Sequence, residues 1–106
     1  MNTLPLWQMR VADFVEEHVL DASIEARLLD LASEVGELAK EALEATDYGN
    51  APFVVPDTWA DEMGDVFFSL ICLANQTDID LEAVLGAVLV KYQHRLALVG
   101  DIGSGM

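Results

Sequence analysis

Residues 28–45 read LLDLASEVGELAKEALEA, and this stretch decides the fold class. Leu28, Leu31, Val35, Leu38 and Ala42 recur at three and four residues, the period of one face of an α-helix and not the alternation of a strand. Asp21 or Ser23 can cap its start, so the spacing predicts a helix from there to about Ala45. On the same cylinder Asp30, Glu34, Glu37 and Glu41 fall within about 60°. Taken alone, these acids read as a solvated polar face opposite the apolar stripe, repelling one another by roughly a few tenths of a kcal/mol per pair. Lys40 is the one cation near them in that segment.

The helical period extends to both sides. Leu6 to Val19 carries Trp7, Val11, Phe14 and His18 on one stripe. Between Asp47 and Asp57 the pattern breaks, with Tyr48-Gly49-Asn50-Ala51-Pro52 and Pro56 supplying turn chemistry. Asp57 or Thr58 then caps a third helix to about Gln76, and Asp80 a fourth that ends near Val99. The expectation is an all-α, four-helix bundle-like domain over residues 1–99, its helices antiparallel neighbours because their connections are short. The Gly-rich remainder, 100–106, is expected to be a flexible tail.

The third helix is the most apolar. Trp59, Met63, Val66, Phe67, Leu70, Ile71, Leu73 and Ala74 occupy most of its circumference and leave a narrow wedge for Glu62, Asp65 and Ser69. Such a helix belongs at the centre of the bundle, where an unpaired carboxylate costs several kcal/mol or takes up a proton. A compensating cation is therefore expected. On the fourth helix the stripe marked by Val84 and Val88 continues through Lys91 and Arg95, two of only five basic residues. These form either plain salt bridges with the acids or anion clamps, with a metal neutralising the carboxylates and phosphates bridging the two. An all-oxygen cluster suits a hard divalent cation, Mg²⁺ above all.

Composition narrows the partners. The 106 residues hold 19 Asp or Glu against 5 Lys or Arg, a formal charge of −14. Nucleic-acid polymers and anionic membranes are thereby disfavoured, since both are held mainly by clustered Lys and Arg. An apolar fraction of 53% argues for a folded chain, and its small size for completion of the core by oligomerisation. Cys72 stands alone, so no intrachain disulfide forms. Met1 to Arg10 lacks the pattern of a signal peptide, and the longest apolar run is only Val66 to Ala74, so a cytoplasmic location is expected.

The ordered motifs complete the reading. Ser33-Glu34-Val35-Gly36-Glu37-Leu38, then Asp61-Glu62-Met63-Gly64-Asp65-Val66, resemble the paired ExxE and ExxD elements of MazG-like nucleotide pyrophosphohydrolases. The similarity continues through Leu73-Ala74-Asn75 and Ile79-Asp80-Leu81 to a K-x-x-x-R element at Lys91-Tyr92-Gln93-His94-Arg95. The resemblance implies Mg²⁺-dependent hydrolysis of a nucleoside triphosphate between the α and β phosphates, giving a monophosphate and pyrophosphate, in a house-cleaning role. Mn²⁺ is an admissible substitute. By motif position Glu34, Glu37, Glu62 and Asp65 would ligate the metal, and Lys91 and Arg95 would contact phosphate. Asn75, Ser69 and His18 are candidates for the rest of the substrate. Relatives form dimers or dimers of dimers, which implies a homodimer or homotetramer here. Many of them carry a second Glu where this chain has Ser33; either a metal-bound Glu or Glu41 takes the water's proton, or activity is reduced.

Two other classes compete with this reading. A catalytically degenerate nucleotide-binding relative, or a non-catalytic helical interaction module, is suggested by Ser33. A ferritin-like di-iron bundle is disfavoured, because neither His18, preceded at three residues by Val15, nor His94, preceded by Lys91, completes a Glu-x-x-His pair.

Overall fold

The computed structural model describes residues 3–99. Four helices follow one another: α1 (Leu4–Glu17), α2 (Ile24–Ala45), α3 (Trp59–Gln76) and α4 (Leu81–Val99). The fold is all-α, as the apolar spacing predicts. The tail expected at 100–106 lies outside the described residues.

Local side chains set the boundaries. Thr3 accepts a hydrogen bond from the Leu6 amide, and Pro5 sits in the first turn of α1, where its missing N–H costs nothing. Of the two candidate caps for α2, Ser23 takes the position and accepts from the Ala26 amide at 3.1 Å. Asp80 caps α4 as expected, its carboxylate accepting from the amides of Glu82 and Ala83. At the end of α2 the chain leaves the helix through three consecutive positive-φ residues, Asp47, Tyr48 and Gly49. Only the last escapes a Cβ penalty there. Asn50 steadies that turn by donating to the Asp47 carbonyl at 2.9 Å.

α3 is the central element: α2 packs along it and α1 crosses it, with Phe14 meeting Phe68 edge-on at 6.3 Å. α4 rests chiefly on α1. The joint that ties these pieces is Gln8, a buried polar residue of α1. Its amide nitrogen donates to Asn75 Oδ1 at 3.1 Å and to the Ile79 carbonyl at 2.8 Å, and its oxygen accepts from the Leu81 amide at 2.9 Å. Asn75 returns a bond to the Gln8 carbonyl at 2.9 Å. One side chain thus fixes the end of α3, the 77–80 connection and the start of α4.

The core is thin. Among the described residues Ile71, Cys72 and Ala74 are the buried apolar side chains, joined by polar Gln8, Arg27 and Ser69. The radius of gyration is 16.9 Å, against about 13 Å for a compact chain of this length. Met63, Phe67 and Leu70 of α3 and Leu85, Leu89, Val90, Leu96 and Leu98 of α4 all stand exposed. Trp7 and Phe14, more often core at such spacing, are exposed as well, and the Arg10 guanidinium lies 4.3 Å above the Trp7 ring. No helix among the described residues is long and apolar enough to cross a membrane.

Replacing Gln8 with Met keeps the volume and strands its buried hydrogen-bond partners. Urea unfolding of that variant is expected to show a loss of about 1–3 kcal/mol. Unchanged stability would contradict the role given to this joint.

Candidate functional site

Antiparallel packing of α2 on α3 brings the two acidic motifs face to face. Glu34 of α2 and Glu62 and Asp65 of α3 each present a carboxylate oxygen, and these oxygens lie within 4.8 Å of one another. Glu62 and Asp65 are three residues apart and so share one face of α3. Glu34 and Glu62 are half-buried and Asp65 is exposed, which leaves the group open on one side.

The acids continue along α2. Glu37 and Glu41 follow Glu34 at three and seven residues, and with Lys40, Glu44 and Thr58 they line an adjoining depression of about 220 Å³. Thr58 sits at the N-cap of α3, yet its hydroxyl makes no capping bond and instead donates to Glu41 Oε1 at 2.7 Å. A side chain that ordinarily stabilises its own helix by about 1 kcal/mol is used here to hold a carboxylate beside the cluster.

The electrostatics follow from this crowding. Partial burial holds the Glu62 carboxyl above the usual carboxylate range, and the charges of Glu41, Asp65, Glu34 and Glu37 push it further. Three or more converging carboxylates repel one another unless a cation sits among them. The donor set is all oxygen, which fits a hard divalent ion, with Glu34, Glu62 and Asp65 as the residues placed to hold it.

The other residues singled out from the sequence lie as follows. Glu37 is one turn along α2 from Glu34, outside the close triad and near enough to act on Glu62. Ser69 is buried one turn beyond Asp65. Asn75 has both ends of its amide engaged with Gln8 and serves as a strut. His18 caps α1 and its ring lies tilted against Phe14, with centroids 4.6 Å apart. Lys91 and Arg95 flank the Tyr92 ring, at 5.2 and 5.8 Å from its centroid. The sequence places Lys91 and Arg95 on the core-facing stripe of α4, directed at the carboxylates; in the structure that helix lies chiefly against α1. α4 packs on α1 and makes no substantial contact with α2 or α3, because the apolar stripe that precedes the two cations is left open instead of closing on the α2/α3 pair.

Sequence reasoning missed two participants. Thr58 reads as a cap, and nothing local shows that its hydroxyl reaches Glu41. Arg27 reads as a surface cation, yet it is only 8% exposed and lines a cavity of about 280 Å³ bounded by α1, α2 and α3. Its place seven residues before Glu34, on the same stripe of α2, was the available signal.

A family model described as "MazG nucleotide pyrophosphohydrolase domain" matches residues 22–99, which include all of α2, α3 and α4. The chain is similar to "Uncharacterized protein YpjD" of Bacillus subtilis (strain 168), with 35% identity over 88 residues that cover 80% of this chain and 75% of YpjD. No solved structure matches the chain.

Because folding raises the titration of Glu62, the native state binds its proton more tightly than the unfolded chain does. The stability from that group is complete below the ordinary carboxylate range and is lost as pH rises through the raised value. Thermal unfolding of metal-free protein is therefore expected at lower temperature as pH climbs through that window, and Glu62→Gln is expected to flatten the dependence. Superimposable pH profiles of the two proteins would count against the crowding described.

Proposed function

The chain belongs to the MazG nucleotide pyrophosphohydrolase family, and from that premise we propose that it hydrolyses nucleoside triphosphates to monophosphate and pyrophosphate with Mg²⁺ as cofactor. The observation that carries this reading is the convergence of Glu34, Glu62 and Asp65 across the α2/α3 seam, with Glu37 one turn away. We take residues 1–99 as the catalytic unit, acting on the nucleotide pool in the cytoplasm as a house-cleaning enzyme.

Glu34, Glu37, Glu62 and Asp65 would hold the metal. When bound, Mg²⁺ neutralises triphosphate charge and lowers the pKa of a water in the site. The chain's own residues account for the rest. Glu41, fixed by the Thr58 hydroxyl, stands beside the cluster as the carboxylate that accepts the attacking water's proton, the place that Ser33 leaves vacant. Ser69 lines the wedge next to Asp65, where a sugar would lie.

The cations that stabilise departing pyrophosphate come from a second copy. α4 carries Lys91 and Arg95 in its second half and exposes Leu85, Leu89 and Val90, while the acidic seam stands open on the α2/α3 side. Opposite charges and exposed apolar surface on the same chain favour a self-complementary dimer, or a tetramer built from two, in which α4 of one copy closes the site of the other. A polymer such as DNA finds no extended basic track on a chain of net charge −14.

Pyrophosphate release from a panel of triphosphates is expected with Mg²⁺, with kcat reduced by about 10²-fold or more in Glu62→Gln and Asp65→Asn. Mixing Asp65→Asn with Arg95→Met subunits is expected to restore part of the activity that each lacks alone. Mg²⁺-dependent nucleotide binding without turnover would favour the degenerate relative that Ser33 suggests; unimpaired acid variants would sink the site assignment. Activity that stays lost on mixing, or a monomer at micromolar concentration, would sink the shared site.

A further inference from the structure

The cavity of about 280 Å³ beside Arg27 has no part in the metal chemistry. Val15 and Glu16 of α1, Asp21 of the connection, Arg27 of α2, and Cys72 and Asn75 of α3 stand around it. Arg27 is more than nine-tenths buried, and among the described residues its hydrogen bonding consists of one Nη2 donation to the Leu20 carbonyl, with no ion pair. A guanidinium carries five N–H donors, and a buried one is ordinarily matched by a carboxylate. Here Glu16 and Asp21 line the same cavity and lie beyond ion-pair distance, so open space separates the buried cation from the acids. Burial raises the Cys72 thiol, and the nearby Arg27 charge partly offsets it.

The position fits the catalytic cluster. Arg27 precedes Glu34 by seven residues and Cys72 follows Asp65 by seven, so cavity and cluster lie along one stripe of each helix, two turns or about 10 Å apart. That is the reach of a nucleoside from base to α-phosphate. A volume at the lower limit of ligand pockets admits a base and leaves no room for the sugar and phosphates.

We propose that this cavity seats the nucleobase of the substrate, with Arg27 donating to two adjacent ring acceptors and Asp21 or Glu16 accepting from an amino group, a pattern that selects guanine or cytosine over adenine and thymine. Guanine offers O6 beside N7, and cytosine O2 beside N3; each also carries an amino group for a carboxylate. On adenine and thymine every ring acceptor at the reading edge is flanked by a donor or a methyl group, which meets the guanidinium fork unfavourably. A free anion is disfavoured, because Glu16 and Asp21 repel it. The inference rests on the chain's being a nucleotide hydrolase.

Calorimetric titration with the four deoxynucleoside monophosphates in Mg²⁺ tests it apart from turnover. The guanine and cytosine nucleotides are expected to bind about tenfold or more tightly than the other two. Arg27→Met is expected to level the four. Since Arg27 is buried, exposed Asp21 provides a second variant, and Asp21→Asn is expected to weaken the guanine and cytosine nucleotides selectively with unchanged thermal unfolding. Equal binding of all four by the wild type, or a preference that survives both substitutions, overturns the assignment. Hydrolysis of all four triphosphates at equal kcat/KM alongside that result removes the base-reading site and leaves the hydrolase standing; absence of both binding and hydrolysis removes the two together.

Discussion

Glu34, Glu62 and Asp65 repel one another across the α2/α3 seam, and that repulsion is the constraint around which the molecule is organised. Helix packing makes the contact: the register in which α2 lies along α3 sets the acids side by side. Thr58 adds to the crowding, since its hydroxyl holds Glu41 close by instead of capping α3. A polar cluster of one sign, maintained at the expense of local helix stability, makes physical sense as a seat for a cation. Its all-oxygen composition suits a hard one.

The rest of the chain reads as a frame for that seam. Gln8 locks the end of α3 to the start of α4, so the direction in which α4 departs is set by a few hydrogen bonds at one joint. From there α4 leans on α1 and presents its leucines and valines outward. A thin core of Ile71, Cys72 and Ala74 is a small return for so apolar a composition, and the unburied remainder is the surface on which a second copy would close. On the proposed function, a strongly acidic chain would take a small polyanion through local neutralisation by a cation at the seam, with Lys91 and Arg95 as the phosphate contacts.

The helices and most of their ends were legible in the sequence, because periodicity and capping act within a few residues. Ser23 and Asp80 bond to amides two or three positions away, and their residue types announce it. The paired acidic motifs were legible as motifs. That Glu34 turns toward α3, when the helix taken alone reads as a solvated face, depends on tertiary packing. The Lys91 and Arg95 stripe was readable as a stripe, but what it faces is set by the packing of α4 against α1, which no local pattern announces. Gln8 was illegible for a related reason: a polar residue in an amphipathic pattern reads as surface, and the groups that bury it arrive from 67 or more positions along the chain, whereas Arg27 was signalled only by sharing the stripe of Glu34.

The central claim, that this acidic seam acts on triphosphates, is tested most directly by identifying the products by mass after incubation of a nucleoside triphosphate with the protein and Mg²⁺. The account predicts monophosphate and pyrophosphate in equal amounts, and neither once the metal is chelated. Diphosphate with orthophosphate, or the same products without metal, would contradict it.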